Sequence, residues 1–210
     1  KKQFLIKMLF VGSVSVGKTS LVNKIVTNEF NSEYKATLGV DFSFKSMTII
    51  DKNNDEVTVK LQLWDIAGQE KTTQISRAFY NDALACAIVC DLTQQIDQII
   101  NDVETWYKEI SEKVKIPGCS EQIPIVLLAN KCDLPGTMEK FESDEFKQLI
   151  KKLKINLCFS SSALTGEHVD EAISCVLKQS LQLVGKNIPV NPSKINEKQI
   201  LVEMPKKKCC

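Results

Sequence analysis

The segment Gly12–Ser20, with the sequence GSVSVGKTS, fits the pattern GxxxxGK[ST] of a phosphate-binding loop. It lies between an apolar run, Phe4–Val11, and a segment with helical spacing, Thr19–Val26. Glycines permit close backbone approach, so that successive N–H groups can point at phosphate oxygens, and the start of a helix adds partial positive charge. The stretch therefore predicts a phosphate-binding loop between a strand and a helix.

Two side chains at the end of this loop have the chemistry that a nucleotide requires. Lys18 can reach the β- and γ-phosphates as a point charge, and the Thr19 hydroxyl can take one position on an octahedral Mg²⁺. The alternative interpretation is a glycine turn that binds nothing. The placement of the motif between strand and helix favours nucleotide binding.

Apolar runs and helical spacing alternate along the rest of the chain, which is typical of a parallel sheet with helices on both faces. The turn-rich DKNNDE between the second and third runs predicts one antiparallel hairpin. We expect an α/β fold with a six-stranded, mostly parallel sheet, about five helices, and ligands at the carboxyl ends of the strands. The predicted strands are Phe4–Val11, Leu38–Ile50, Val57–Asp65, Leu84–Cys90, Ile123–Ala129 and Asn156–Phe159; the predicted helices are Thr19–Val26, Gln95–Val114, Ser143–Leu153 and Glu167–Leu183.

Length and charge indicate one domain followed by a basic tail. The 210 residues suffice for one substantial core, which we place at 1–184, with a flexible tail at 185–210. The tail has six lysines and two glutamates and so carries a charge of +4. Because the whole chain has a net charge of +1, the remaining residues carry −3. This balance does not favour a nucleic-acid partner, and none is expected. No apolar run is long enough to span a bilayer and the first strand begins at once, so we expect a cytosolic protein. Since the sequence starts at Lys1, we expect a few native residues to precede it.

Eight cysteines occur in the chain, but six are scattered through apolar or loop segments. None of the six belongs to a CxxC cluster, so we expect reduced, mostly packed thiols and neither disulfides nor a zinc site. These six are Cys86, Cys90, Cys119, Cys132, Cys158 and Cys175.

A second motif, WDIAGQE, ends the third apolar run. Asp65, at the end of a strand that follows a phosphate-binding loop, can hold Mg²⁺ directly or through water. The Gly68 N–H can point at a γ-phosphate, and Gln69 can orient an attacking water. The alternative interpretation gives Asp65 a helix-capping role and Gly68 a place in a turn.

The tetrapeptide NKCD follows the strand IPIVLLA. A carboxylate at Asp133 can accept two hydrogen bonds from the N1–H and exocyclic amine of guanine, a pair of donors that adenine does not offer. A site of this kind discriminates strongly, because a wrong base leaves a buried carboxylate unpaired. By itself the tetrapeptide is equally compatible with a polar turn.

Together these motifs resemble the Ras-like small GTPases over residues 4–183. The phosphate-binding loop, Thr37, DxxG at Asp65–Gly68, NKxD and the dipeptide SA at 162–163 occur in that family's order and approximate spacing. LGVDF, KLQLWDIAGQE and a terminal double cysteine are similar to the Rab branch. The resemblance implies the three-layer P-loop GTPase fold, GTP and GDP as ligands with Mg²⁺, and a monomer.

The resemblance also implies roles for individual residues. Phe30 would lie edge-on to the base and Tyr34 would close over the γ-phosphate, while Thr37 would coordinate Mg²⁺ only in the GTP state. Hydrolysis would depend on Gln69, Lys18 and Thr37, and the metal would be held by Thr19, Thr37 and Asp65. The full nucleotide-binding set would be Ser15, Val16, Gly17, Lys18, Thr19, Ser20, Phe30, Tyr34, Thr37, Gly68, Asn130, Lys131, Asp133, Ser162, Ala163 and Leu164, with the Ala163 N–H donating to the base oxygen.

Three departures from the family pattern carry predictions. Val14 stands where fast-hydrolysing relatives have a small residue, so we expect it to crowd Gln69 and its water and to slow hydrolysis. Leu164 replaces a lysine at the base. Lys71 and Thr72 replace an arginine–aromatic pair, which affects the expected contacts with exchange factors and effectors.

Further features bear on partners. Phe42, Trp64 and Phe79 match the effector-facing aromatic triad of Rabs, although each is equally compatible with an ordinary core position. Val14, LQLWDIAGQE, Trp106 and IPIVLLANKCDL together are similar to the Rab subgroup that serves lysosome-related organelles. His168, the only histidine, is expected to be a solvated surface residue without a partner, and Glu109, Glu112 and Lys151–Lys154 are expected on solvated helix faces.

The C-terminal KKKCC resembles the Rab substrates of geranylgeranylation. Lipids on Cys209 and Cys210 would give stable anchoring, and Lys206–Lys208 would add attraction to anionic lipids. A frayed basic end is the alternative. The family resemblance further implies four kinds of partner: an exchange factor, a GTPase-activating protein, effectors and a GDP-dissociation inhibitor or escort protein. It also implies that the lipid-anchored protein lies on the cytoplasmic face of endomembranes, with a further soluble pool in the cytosol.

The sequence thus predicts a Rab-like GTPase that switches between GTP- and GDP-bound states and recruits effectors. A second hypothesis is a GTP-locked binding module in which Val14 all but abolishes turnover. A third is a P-loop ATPase or nucleotide kinase. NKCD argues against the third, as does the lack of an arginine-rich lid in a chain whose single arginine is Arg77.

Overall fold

The computed structural model describes residues 3–30, 37, 39–51, 54–68, 79–114, 116 and 121–187. Tyr34, Gln69, Lys71, Thr72, Cys119, Cys209 and Cys210 lie outside these ranges. The elements are β1 (Gln3–Val11), α1 (Lys18–Thr27), β2 (Val40–Ile50), β3 (Glu56–Ile66), β4 (Ala83–Asp91), α2 (Ile96–Lys113), β5 (Ile125–Asn130), α3 (Thr137–Phe141), α4 (Asp144–Leu153), β6 (Leu157–Ser160) and α5 (Val169–Asn187).

The six strands form one sheet in the order β2-β3-β1-β4-β5-β6. The β2–β3 pair is antiparallel and the other four pairs are parallel, which confirms the predicted fold class and hairpin. The central strand β1 reads as a nearly continuous apolar run because both of its faces are covered. Met8 and Phe10 point into one core layer and Leu9 and Val11 into the other.

Most elements agree with the prediction to within one or two residues, and three differences have an evident physical reason. Strand β5 begins at Ile125 rather than Ile123 because Pro124 has no N–H to donate to the ladder. Helix α5 continues through Gly185 to Asn187, past the predicted end at Leu183; one interior glycine costs a helix only about 1 kcal/mol. The five-residue helix α3 has too little sequence for a 3.6-residue period to show, and was not predicted.

The parallel arrangement gathers the motifs at one edge of the sheet. Phe10, just before the phosphate-binding loop, lies opposite Asp65 in the β1–β3 register. Asp91 at the end of β4 lies opposite Asn130 at the end of β5. Because the carboxyl ends of parallel strands share an edge, motifs far apart in sequence become neighbours. No helix within the described ranges combines the length and apolar character that crossing a bilayer requires.

Candidate nucleotide-binding site

Lys18 begins α1 and points back under the phosphate-binding loop. Its Nζ donates to the carbonyl oxygens of Gly12 and Ser13, each at 2.9 Å, and the residue is only 6 % exposed. Burial lowers the pKa of Lys18 to about 8, a shift that the nearby Asp65 carboxylate partly opposes. Phosphate oxygens at this loop would favour the charged form of the ammonium and offset its loss of hydration.

Three oxygen-bearing side chains from separate parts of the chain converge beside this lysine. The Thr19 Oγ1 donates to Asp65 Oδ2 at 2.5 Å, Thr37 Oγ1 lies 3.2 Å from the same oxygen, and the two hydroxyl oxygens are 2.8 Å apart. These are the three residues that the sequence assigned to Mg²⁺, and hard oxygen donors are the ligands that this ion prefers.

Asp65 itself has the character of a metal ligand. The residue is 2 % exposed, and its Oδ1 is buried and makes no hydrogen bond within the described residues. Burial raises the pKa of Asp65, while the Thr19 hydroxyl, the Lys18 ammonium and the Thr37 hydroxyl act in the opposite direction. A carboxylate with one buried oxygen unpartnered suits a divalent cation, so the residues present fit Mg²⁺.

Gly68 lies directly against the phosphate-binding loop. A Cβ at this position would come within 2.5 Å of the Ser13 carbonyl carbon and the Val14 nitrogen, so no side chain fits without moving the backbone. Val14 is 39 % exposed beside this contact. The two residues that the sequence linked to the γ-phosphate and to the hydrolysis rate are therefore neighbours.

Asn130 links the phosphate-binding loop to the two loops at the ends of β5 and β6. Its Nδ2 donates to the Val16 carbonyl at 2.8 Å, and its Oδ1 accepts from the Ala163 N–H at 3.1 Å. Gly17 makes this approach possible, because its φ is +99° and a Cβ there would lie 2.3 Å from the Asn130 amide nitrogen. The Ala163 N–H, which the sequence assigned to the base oxygen, thus donates to Asn130 in this structure.

The other residues that the sequence predicted for the base differ in exposure and contacts. Phe30 and Leu164 are 41 % and 52 % exposed, so both present apolar surface to solvent, and Asp133 is exposed as well. The Lys131 Nζ lies 3.1 Å from the Ser15 carbonyl. Ser162 has a structural contact, because its fully buried hydroxyl accepts from the Thr165 N–H at 3.1 Å.

The three predicted effector-facing aromatics form one continuous row. Phe42 stacks on Trp64 with ring centroids 6.0 Å apart, and Trp64 lies 6.1 Å from Phe79. The row has a fourth ring that the sequence reasoning missed: Phe44, 44 % exposed, contacts Phe42 edge-on at 5.9 Å. The two-residue spacing on β2 could have revealed it, since alternate residues of a strand share a face.

Of the predictions about surface residues, the one for His168 is confirmed and the one for Glu109 is wrong. His168 is exposed, as predicted, and its Nδ1 also has a partner, because it lies 2.8 Å from the Ser160 carbonyl oxygen. Glu109 is not simply solvated, because its carboxylate accepts from the Tyr80 hydroxyl at 2.5 Å and from Lys113 at 3.0 Å. In both cases the partner comes from another part of the fold or a neighbouring turn, which composition alone does not reveal.

Comparison with known proteins agrees with this geometry. The Ras family model matches residues 7–182. Human Ras-related protein Rab-7L1 is 35 % identical over 182 residues, covering 86 % of this chain and 85 % of the relative. Mouse Ras-related protein Rab-32 is 33 % identical over 214 residues, covering 100 % and 92 %. Ras-related protein RABG3d of Arabidopsis thaliana is 32 % identical over 197 residues, covering 93 % and 92 %.

The family match extends over every motif of the described site, and the similarity to Rab-32 and Rab-7L1 confirms the resemblance to the Rab branch. The chain belongs to the Ras family of small GTPases and to its Rab branch, whose members bind GTP and GDP with Mg²⁺, hydrolyse GTP and act in membrane trafficking.

Proposed function

We propose that Thr19, Thr37 and Asp65 hold the Mg²⁺ of a bound guanine nucleotide, and that Thr37 is held there only while a γ-phosphate is present. The observation that carries the proposal is the convergence of the three side chains, with oxygen–oxygen distances of 2.5 to 3.2 Å. Lys18 holds the β- and γ-phosphates from beneath the loop. Loss of the γ-phosphate releases Thr37 and Gly68 together, which is an order–disorder switch of the kind that GTP hydrolysis controls.

Guanine recognition in this proposal is divided between direct and indirect contacts. Asp133 accepts hydrogen bonds from the base, and Phe30 and Leu164 pack against it. Asn130 acts on the nucleotide through the backbone, because both ends of its amide bind the loops at Val16 and Ala163. Replacing Asp133 with asparagine removes the acceptor that guanine requires, so GDP affinity falls while the fold is retained.

Val14 sets the rate of hydrolysis in this proposal. The Val14 backbone nitrogen lies at the contact between Gly68 and the phosphate-binding loop, and we expect the branched side chain at this position to crowd Gln69 and its attacking water. We expect Val14→Gly to raise the single-turnover rate constant of preloaded GTP, and Gln69→Leu to lower it to the uncatalysed background. Asn101→Ala, at an exposed position on α2, serves as the control for handling and loading.

Two results would contradict this reasoning. If Val14→Gly hydrolyses GTP no faster than wild type, then the loop accommodates valine and the rate is set elsewhere. If wild type is as inert as Gln69→Leu, then the chain works as a GTP-locked binding module and its regulation lies in nucleotide exchange or membrane extraction.

The aromatic row of Phe42, Phe44, Trp64 and Phe79 is the proposed effector surface. Phe42 and Trp64 lie on β2 and β3, and Thr37 precedes one strand while Asp65 lies in the other. A change at the Mg²⁺ ligands therefore reaches the aromatic row through the same two strands. An apolar partner surface would recognise the row in the GTP state, with regulators and effectors as the class of partner that the Rab branch implies.

Membrane attachment completes the proposal. Cys209 and Cys210 receive two geranylgeranyl groups after binding of an escort protein, and the part of the chain that follows α5 tethers the domain to the cytoplasmic face of an endomembrane. Two lipid chains are needed because one gives only marginal, reversible binding. In a prenylation assay the wild-type chain should gain two lipids by mass, each single cysteine-to-serine variant one, and the double variant none.

A further inference from the structure

The lysine of NKCD, Lys131, forms an ion pair with Asp91, a residue outside the motifs described above. Asp91, the last residue of β4, places its Oδ2 2.6 Å from the Nζ of Lys131, and its side chain is 7 % exposed against 33 % for the lysine. The same Nζ reaches the Ser15 carbonyl in the phosphate-binding loop at 3.1 Å. Lys131 is thus fixed between a buried carboxylate and the loop that wraps the phosphates.

The other oxygen of Asp91 is also occupied. Its Oδ1 accepts from the backbone N–H of Thr93 at 2.8 Å and from the Thr93 hydroxyl at 2.7 Å. Both carboxylate oxygens therefore have defined partners, which leaves the side chain little freedom to rotate. A carboxylate held in this way presents a fixed acceptor to Lys131 rather than a mobile one.

A second lysine fixes the loop that contains Thr93. The Lys140 Nζ, on α3, donates to the carbonyl oxygens of Leu92, Thr93 and Gln94 at 3.0, 3.1 and 2.8 Å. An ammonium has three N–H donors, and all three have acceptors here. Contacts run without interruption from Lys140 to the loop 92–94, then to Asp91, Lys131 and the phosphate-binding loop.

We propose that Asp91 is a positioning residue for the guanine nucleotide: it holds Lys131 against the base and the phosphate-binding loop, and thereby slows nucleotide release. The inference rests on the proposed place of Lys131 at the guanine. A lysine side chain has four rotatable bonds, and fixing it in advance removes an entropic cost that nucleotide binding would otherwise carry. Asp91 touches neither base nor phosphate in this scheme and acts through Lys131.

The test is the dissociation rate of fluorescently labelled GDP from the full-length chain in excess unlabelled GDP and Mg²⁺. Asp91→Asn keeps the shape of the side chain but removes the charge, and should speed release about tenfold, the scale of one charge-assisted hydrogen bond. Lys131→Met should also speed release. If Asp91 acts through Lys131, then Asp91→Asn adds less than twofold in the Lys131→Met background, because the group that it positions is already absent.

Additive effects would overturn the proposal. If Asp91→Asn speeds release by the same factor with and without Lys131, then Asp91 has a general structural role. If Lys131→Met alone speeds release while Asp91→Asn does not, then the positioning role is wrong and the guanine site stands. If Lys131→Met leaves release unchanged, then the proposed place of Lys131 is itself wrong, and the inference fails with it.

The loop contacts supply a milder test that does not disturb the ion pair. Lys140→Met removes the three hydrogen bonds to residues 92–94 and should speed GDP release about threefold. Lys147→Met, an exposed position on the adjacent helix α4, is the matched control and should release GDP at the wild-type rate. Equal rates for the two lysine variants would show that the loop contacts do not contribute to nucleotide retention.

Discussion

Replacing Asn130 with alanine should destabilise the fold and the nucleotide site at the same time. Asn130 is 1 % exposed, and its amide makes one hydrogen bond of 2.8 Å to the Val16 carbonyl and one of 3.1 Å from the Ala163 N–H. Val16 and Ala163 are 1 % and 5 % exposed, so alanine leaves a carbonyl and an N–H buried without those partners. Each such group costs about 1–3 kcal/mol, so for the two groups the free energy of unfolding should fall by roughly 2–6 kcal/mol.

That loss is large for a domain whose total stability is about 5–15 kcal/mol. At about 2–4 °C per kcal/mol for a chain of this size, the Tm should fall by roughly 4–24 °C. Wild type and variant are compared by thermal unfolding at saturating GDP and Mg²⁺, since bound ligand contributes to the apparent stability of both. The matched control is Asn101→Ala, which removes an exposed amide from α2 and should change the unfolding free energy by less than about 0.5 kcal/mol.

The same variant has a kinetic consequence, because the Asn130 amide ties the phosphate-binding loop to the loop at Ala163. We expect GDP dissociation to be at least about tenfold faster than in wild type, as follows from the loss of about 1.4 kcal/mol or more of nucleotide binding. If Asn130→Ala unfolds within about 1 °C of wild type and releases GDP at the wild-type rate, then the two hydrogen bonds carry no net stability and the reasoning is refuted.

Three further predictions follow from the ionisable groups. Burial raises the pKa of Asp65, so the folded state loses stability as the pH rises through that pKa and the carboxylate ionises. The Asp65→Asn variant should therefore unfold at a higher temperature than wild type in EDTA at pH 7. The same variant should need at least about tenfold more Mg²⁺ than wild type to retain GDP, because it lacks a carboxylate ligand. Lys18 has a pKa of about 8, so the affinity of nucleotide-free protein for GDP should fall by up to tenfold per pH unit above pH 8, and a Lys18→Met variant should lack this dependence. Cys86 and Cys90 are almost completely buried, and burial raises the pKa of both thiols. Neither thiol should therefore react with iodoacetamide at pH 8 in the folded protein, whereas both should react in denaturant. Alkylation of either thiol in the folded protein would contradict their packing.

Much of the fold could be predicted because its signals are local. The apolar run of β1 and the alternation of strands with helical segments depend on residues a few positions apart, and they gave six strands and the α/β class correctly. The phosphate-binding loop is equally local, since Gly12–Ser20 contains the glycines, the lysine and the hydroxyl that its chemistry requires. Errors occurred where the local signal was short, as in α3, or was cut by a residue without an N–H, as at Pro124 before β5.

Contacts between motifs belong to the tertiary structure. The sequence alone determined that Thr19, Thr37 and Asp65 have the right chemistry for Mg²⁺, but only the order of the strands brings their oxygens within 3.2 Å of one another. It likewise assigned Asn130 and Lys131 to a guanine site, but gave no sign that one amide spans Val16 and Ala163 or that Asp91 holds the lysine. Such pairs are separated by dozens of residues, and no local period encodes them; they arise because parallel strands end at a common edge of the sheet.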